Sequence, residues 1–262
     1  TRSLDNVLLL QSEVAQAIAG EIKIAVTPSE QERIARTQKV DPQALEAYLK
    51  GDHLVKRAVT ADVYKGIPYF HQAIAIDSTF ALAYAGLANA YSYLLGLAVL
   101  SPREGYPKVK MYAEKALSLN PTLAEAIGLL ADLKFYYDWD VRGAEEYYKR
   151  AIELNPNLAD NHMGYGWFFA DQGKFAAAIA ELRLARQLDP LSVVKTQQLA
   201  QIYLYAERYD SALTYVQRAA EIDSTFPNLS FTRCYIYLLT GSYSKAIEEA
   251  QKLISSGVVT HG

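Results

Sequence analysis

The histidines and one closely spaced pair of aspartates are the side chains that could supply metal-binding or acid–base chemistry. The histidines are His53, His71, His162 and His261. A metal site needs ligands that converge, and these residues are far apart in the sequence, so we expect packed or solvated side chains. Asp138 and Asp140 could bind Ca²⁺ or exchange protons. The favoured alternative is structural, with Asp140 capping a helix and Trp139 packing against the preceding one.

Short motifs that mark common active sites are missing from the sequence. It has no His-Glu-x-x-His, no Cys-x-x-Cys and no Gly-x-Gly-x-x-Gly, because Gly164 and Gly166 lack the third glycine. The single Cys234 excludes an internal disulfide framework and is predicted to be an inert packing residue. The sequence therefore predicts no catalytic residue, no metal site and no cofactor, and the chain is not expected to be an enzyme.

Composition narrows the classes of partner. The net charge of -3 and the lack of a Lys and Arg cluster disfavour binding to a phosphate backbone, so we expect no nucleic acid partner. The longest apolar runs, such as residues 91–100, are too short to span a bilayer. Nothing in the sequence indicates the compartment, which could be the cytoplasm or, for a membrane-anchored parent protein, the periplasm.

The sequence pattern that surrounds these candidate residues repeats every 34 residues, which is the spacing from Pro156 to Pro190. Two stripes with helical spacing lie within it, and Asp171-Gln172-Gly173 forms the turn between them. The stripe residues are His162, Tyr165, Gly166 and Phe169 on the first helix and Ala178, Leu182 and Ala185 on the second. A helical hairpin that repeats every 34 residues resembles the tetratricopeptide repeat.

The same pattern recurs along most of the chain. It predicts an all-α, right-handed superhelical solenoid of about six hairpins over residues 41–262. The predicted repeats lie near residues 42–78, 79–121, 122–156, 157–190, 191–224 and 225–257. One or two helices are expected before them, in residues 1–40. Pro68 should kink one helix, and the surplus residues after Gly96, with a capping box at Ser101 and a bend at Pro107, should lengthen another.

One stripe of the first helices is predicted to face a concave groove. Its residues are Tyr48, Asp52, Asn89, Tyr93, Asp132, Tyr136, Met163, Trp167, Asp171, Gln201, Tyr205, Phe231 and Tyr235. Aromatic rings interleaved with Asp, Asn and Gln suit an extended peptide, which needs hydrogen-bonding partners and flat apolar surfaces. The alternative is that the tyrosines pack across neighbouring helices. Lys and Arg are nearly absent from the stripe, so a basic clamp for a terminal carboxylate is not supported.

Further residues resemble one branch of bacterial tetratricopeptide proteins, whose repeats follow a TolB-like segment. The resemblance is carried by Tyr137-Asp138-Trp139-Asp140, by Leu49-Lys50-Gly51 and by Ser101-Pro102-Arg103-Glu104. Leu4-Asp5-Asn6-Val7 resembles the end of the TolB-like segment, so the resemblance implies that residues 1–40 are the tail of such a segment. It also implies a parent protein that is a serine/threonine kinase, an adenylate cyclase or a winged-helix regulator.

Three hypotheses about function follow. The first is a protein-interaction scaffold, the regulatory or sensory module of a larger bacterial signalling protein. The second is the C-terminal tail of a kinase or cyclase, and the third is a self-assembly module that forms a homo-oligomer. No initiator methionine opens the chain, so we expect a piece of a longer protein in which further repeats follow Gly262 and cover Ile247 and Ala250.

Overall fold

The computed structural model describes residues 40–226 and 228–255, and these residues form twelve α-helices without a strand. The helices are α1 (Pro42–Val55), α2 (Thr60–Ile76), α3 (Ala81–Gly96), α4 (Pro102–Leu119), α5 (Ala124–Tyr136), α6 (Val141–Leu154), α7 (Ala159–Ala170), α8 (Phe175–Leu188), α9 (Val193–Tyr205), α10 (Tyr209–Ile222), α11 (Asn228–Leu239) and α12 (Tyr243–Ser255). The helices predicted for residues 1–39 lie outside the described residues.

The helices form two layers. Each odd-numbered helix pairs with the even-numbered helix that follows it, and each even-numbered helix up to α10 also packs on the next odd-numbered one. Among the odd-numbered helices, α1 contacts α3, α3 contacts α5, α5 contacts α7, and α9 contacts α11. The odd-numbered helices therefore form the inner layer, and the predicted helical hairpins are confirmed.

Small residues allow the two helices of a hairpin to approach closely. In the first hairpin, a Cβ added to Gly66 would lie 2.9 Å from the carbonyl oxygen of Gly51 and 2.8 Å from Cγ2 of Val55. The predicted packing positions Ala88 and Ala131 are fully buried. The pattern of small residues thus reports contact between backbones, where a larger side chain would separate the helices.

The capping box predicted at Ser101 is confirmed. Helix α4 begins at a capping box, with Glu104 Oε2 accepting a hydrogen bond from the backbone N–H of Ser101 at 3.2 Å, and it is the longest helix described. Pro68 and Pro107 lie inside α2 and α4, and both helices continue past them.

The turn before α6 confirms one expectation and corrects another. Asp140 caps α6, accepting a hydrogen bond from the backbone N–H of Gly143 at 2.8 Å, and its other oxygen pairs with Lys134 Nζ at 2.9 Å. The prediction that Trp139 packs against the preceding helix is wrong, because its side chain is 82% exposed. Trp139 has a φ of 58°, a left-handed conformation that belongs to the turn and directs the indole to solvent.

Candidate functional site

The inner layer surrounds a cavity of about 990 Å³. Residues of α1, α3, α5, α7 and α9 form most of its wall. Lys56 and Ala58 after α1, the turn between α3 and α4, Tyr106 of α4, Tyr148 of α6, and Phe226 and Asn228 at the start of α11 also line it. Ala58 also packs against the buried cluster that contains Val194 and Phe226. The first hairpin therefore meets the fifth and sixth, so the superhelix curls back on itself around the cavity.

Charges support this closure between distant repeats. Hydrogen bonds from Thr225 hold the pKa of Asp223 below its usual range, and the nearby charge of Arg57, in the turn after α1, acts in the same direction. Asp223 and Thr225 lie in the turn before α11. The turn of the first hairpin thus lies beside the turn between the fifth and sixth.

Most of the predicted groove residues line the cavity. These are Tyr48, Asp52, Asn89, Tyr93, Asp132, Tyr136, Met163, Trp167, Gln201 and Tyr205. Asp171 does not line it, and instead its Oδ2 accepts a hydrogen bond from the Tyr136 hydroxyl at 2.7 Å.

Phe231 and Tyr235, two further residues of the predicted groove, lie apart from the cavity. Their rings lie 5.7 Å apart on α11, and neither residue belongs to the cavity wall. The reason is the closure described above, because the wall reaches only the beginning of α11 before the first hairpin meets it. The remaining length of α11 lies beyond the enclosed space.

Two of the lining carboxylates have cationic partners. Asp52 pairs with Lys56 Nζ at 2.8 Å within α1. Asp160 pairs with Lys195 Nζ at 2.7 Å, and the same ammonium group lies 3.1 Å from Asp189. The Lys195 side chain is only 4% exposed, so its charge is balanced within the protein.

The two other lining carboxylates, Glu125 and Asp132, belong to α5 and form no salt bridge with the described residues. Asp132 accepts a hydrogen bond from the Tyr148 hydroxyl. Burial nevertheless raises the pKa of Asp132 to about 6, with the Tyr148 hydrogen bond opposing the shift. Burial is also the main reason that the pKa of Glu125 is raised, and the like charges of Asp160 and Asp52 add to it.

Glu125 was missing from the predicted groove, although a sequence signal for it exists. It precedes Asp132 by seven residues, which is about two helical turns, so both residues share one face of α5. Extending the predicted stripe toward the start of the helix would have included it. Lys56 and Asp160 were also missed, although Lys56 follows Asp52 by four residues and Asp160 precedes Met163 by three, so both continue predicted stripes.

The aromatic rings of the cavity divide between packing and exposure. Tyr48 packs on Phe70 and Phe80, with ring centroids 5.8 Å and 5.4 Å away. Trp167 donates a hydrogen bond from Nε1 to Gln198 and packs on the core of the fifth hairpin. Both side chains therefore contribute to packing as well as to the cavity wall.

Tyr136 and Tyr205 differ from these packed rings, because they are 39% and 50% exposed. Both line the cavity. Their ring faces are the aromatic surface that an incoming molecule could contact.

The histidines form no metal site in the described part of the chain. No group of three or more His, Cys, Asp or Glu side chains there could hold an ion. His162 is buried, and its ring nitrogens lie 2.7 Å from Glu181 Oε2 and 2.9 Å from the carbonyl oxygen of Pro156. The predicted packing role of His162 is confirmed, and His261 lies outside the described residues.

Comparison with known proteins identifies the repeat type. Residues 135–193 and residues 197–226 match family profiles described as tetratricopeptide repeats. The chain contains tetratricopeptide repeats. Solved structures agree on the fold: PilW, a type IV pilus biogenesis factor, superposes with a TM-score of 0.58 at 17% identity, over 83% of this chain and 95% of PilW. The predicted superhelical arrangement of these repeats is confirmed.

Two further proteins are similar to this chain, one in structure and one in sequence. Human IFIT1, solved as a dimer with m7Gppp-AAAA, superposes with a TM-score of 0.63 at 21% identity, over 74% of this chain and 46% of IFIT1. The transcriptional regulator HilA of Salmonella typhimurium is 24% identical over 143 residues, which are 55% of this chain and 26% of HilA. The chain thus spans about a quarter of the length of this curated relative. Among the described residues, no helix is long and apolar enough to cross a membrane.

Proposed function

We propose that this chain is a non-enzymatic interaction module whose tetratricopeptide repeats bind an extended segment of a partner protein in the cavity. The observation that carries the proposal is the cavity of about 990 Å³, with exposed faces of Tyr136 and Tyr205 in its wall. Exposed aromatic surface in a concave wall is the usual energetic centre of a protein contact.

Polar groups in the wall can serve a peptide backbone. The side-chain amides of Asn89 and Gln201 line the cavity on α3 and α9. An extended peptide carries an N–H donor and a carbonyl acceptor at nearly every residue, and an amide side chain can serve both. Rings and amides on the same wall therefore match a peptide better than a purely apolar ligand.

The charge of the wall disfavours a phosphate ligand. Four carboxylates line the cavity, from Asp52, Glu125, Asp132 and Asp160, whereas Lys56 is the only lysine or arginine of the described residues that lines it. A nucleotide or RNA would bring further negative charge into this space without enough cations to balance it. A protein partner is thus favoured, although IFIT1 shares the fold and was solved with m7Gppp-AAAA.

In the parent protein we assign the chain a regulatory or sensory role in bacterial signalling. Support comes from the resemblance to the branch that follows a TolB-like segment and from the partial match to a transcriptional regulator. On this view residues 1–40 end the preceding segment and residues 41–262 form the repeat array. The alternatives are the tail of a kinase or adenylate cyclase and a self-assembly module. The sequence encoded before Thr1 would test the kinase or cyclase alternative. Light scattering across a range of protein concentrations would test self-assembly.

Selection from a displayed random-peptide library tests the proposal directly. The immobilised chain should enrich peptides that bind the wild type and lose most of their affinity for a Tyr136→Ala/Tyr205→Ala double variant. Trp167 is left unchanged, because it packs on the fifth hairpin and its loss would unfold part of the wall. A Tyr64→Ala/Tyr243→Ala variant, which removes two exposed tyrosines outside the cavity, is the control. Failure to enrich any peptide, or equal binding to the double variant, would overturn the proposal.

A further inference from the structure

Two of the carboxylates that line the cavity have no ion-pair partner among the described residues. Glu125 and Asp132 line it from the same face of α5, about 10 Å apart along the helix axis. No salt bridge within residues 40–226 and 228–255 involves either of them. Asp52 and Asp160, in the same wall, are each paired with a lysine at 2.8 Å and 2.7 Å. The unpaired carboxylates are therefore confined to the wall formed by α5.

Leaving a carboxylate in a partly buried position without a cation is unfavourable. The Tyr148 hydroxyl provides only one hydrogen bond to Asp132, which can accept several. Burial raises the pKa of both acids, and at Glu125 the charge of Lys56 opposes this shift without forming a salt bridge. A cation brought by a ligand would supply the missing interaction.

Aromatic rings flank both carboxylates. Tyr106 and Tyr136 line the cavity near Asp132, whose charge contributes to the raised pKa of each phenol after the larger effect of burial. The charge of Glu125 likewise contributes to the raised pKa of Tyr48, after the larger effects of burial and of Asp52, so Tyr48 lies near Glu125. A guanidinium or ammonium group beside a carboxylate also gains from a neighbouring aromatic face. The chemistry of the α5 wall is thus that of a site for basic side chains.

We propose that the peptide segment bound in the cavity carries arginine or lysine side chains that pair with Glu125 and Asp132. This inference rests on the proposed function and adds the chemistry of the ligand. An extended or polyproline-like segment rises about 3.1–3.4 Å per residue, so carboxylates about 10 Å apart fit basic residues about three positions apart. A basic peptide is chosen as the occupant because its positive charges complement the negative charges of the α5 wall.

A positional-scanning library of N-acetylated, C-amidated octapeptides tests the ligand chemistry. Each position is fixed in turn as Arg, Lys, Gln or Glu, and binding is followed by fluorescence polarisation. The wild type should prefer Arg or Lys over Gln by about tenfold at one position or more, and Glu should bind worst. Blocking both termini ensures that the preference reports side chains.

The discriminating variant is Glu125→Gln/Asp132→Asn, which keeps side-chain shape and leaves an oxygen to accept the Tyr148 hydrogen bond. It should bind the library with the preference for Arg reduced to within twofold of that for Gln. An Asp138→Asn/Glu153→Gln variant makes the same change of charge at exposed positions outside the cavity and should keep the wild-type preference. Circular dichroism melts of all three proteins verify that each is folded.

The possible results separate this inference from the proposed function. Binding by the wild type without a preference for basic residues, or with a preference that Glu125→Gln/Asp132→Asn retains, overturns the inference and leaves peptide binding in place. Absence of binding to every sublibrary overturns peptide binding itself.

Discussion

The imidazole of His162 on α7 lies with Nδ1 2.7 Å from the Glu181 carboxylate on α8. Its other nitrogen, Nε2, lies 2.9 Å from the carbonyl oxygen of Pro156. Both neighbours are hydrogen-bond acceptors, so only the doubly protonated ring can donate to both. The hydrogen bond with Glu181 accordingly raises the pKa of His162, against the opposing effect of burial.

This relationship predicts how stability depends on pH. Because the folded pKa is raised above the ordinary value of 6.5, the contribution is complete below about pH 6.5 and is lost as pH rises through the folded pKa. A Glu181→Gln variant should be less stable than the wild type at pH 6, by about 1–2 kcal/mol, and the difference should shrink toward pH 9. Urea unfolding at several pH values measures it.

If the two proteins differed in free energy of unfolding by the same amount from pH 6 to pH 9, this account would be contradicted. The contact between His162 and Glu181 would then stabilise the fold whether or not the imidazole is protonated. Glu153→Gln is the matched control. Glu153 is exposed on α6, and its substitution should leave the free energy of unfolding unchanged within about 0.5 kcal/mol at every pH.

Close helix packing in the first hairpin gives the second prediction. Gly66→Ala should destabilise the protein by about 1–3 kcal/mol, although alanine is the better helix former, because the new Cβ would lie 2.9 Å from the backbone oxygen of Gly51. Gly96→Ala is the control, since a Cβ at Gly96 meets no atom within 4 Å. Thermal melts measure the stability of both variants. Equal changes in stability would show that backbone entropy, and not the contact with Gly51, determines the effect of Gly66→Ala.

Such local contacts explain why the fold could be predicted well from the sequence. In a tetratricopeptide array most contacts join neighbouring hairpins, so a period of 34 residues and a pattern of small residues such as Ala88 and Gly166 specify them. Turn geometry is less accessible. Trp139 was expected to pack, but its φ of 58° is set by the turn as a whole.

The cavity was harder to predict for a related reason. The spacing on each first helix was enough to find Asp132, Tyr136 and Tyr205, because helical periodicity alone places them on one face. Contact between Ala58 and the cluster that contains Val194 depends on the curvature summed over several repeats. That sum is not encoded at any one position, so the place of Ala58 in the wall and the exclusion of Phe231 did not follow from the pattern.

The raised pKa of Asp132 gives the third prediction. Its folded pKa of about 6 exceeds the ordinary value of 3.8, so the native state holds this proton more tightly than the unfolded chain does. The resulting stabilisation is lost as pH rises through about 6. Asp132→Asn should therefore raise the free energy of unfolding at pH 7.5 by about 1–3 kcal/mol, and the gain should vanish near pH 4.

Urea unfolding of the free protein at both pH values measures this effect. The ionisable groups near Asp132 are the hydroxyls of Tyr106, Tyr136 and Tyr148 and the carboxylate of Asp171. The tyrosines remain neutral between the two pH values, because their pKa values are raised. Glu125 also titrates, so a Glu125→Gln protein is compared in parallel. An Asp132→Asn protein that is less stable at pH 7.5 would show that the carboxylate is structural.

The sixth hairpin gives the last prediction. Within the described residues the main packing partner of α12 is α11, whereas α8 packs on both α7 and α9. Tyr243, Ile247 and Ile254 on α12 are 63%, 58% and 67% exposed. Local opening of α12 breaks one helix interface instead of two, so its backbone amides should exchange hydrogen at least about tenfold faster than those of α8. Hydrogen exchange followed by mass spectrometry, on a sample shown by light scattering to be monomeric, measures both helices together. Equal protection in that monomer would mean that a further part of the chain covers Ile247, whereas protection that rises with protein concentration would mean that a second copy covers it.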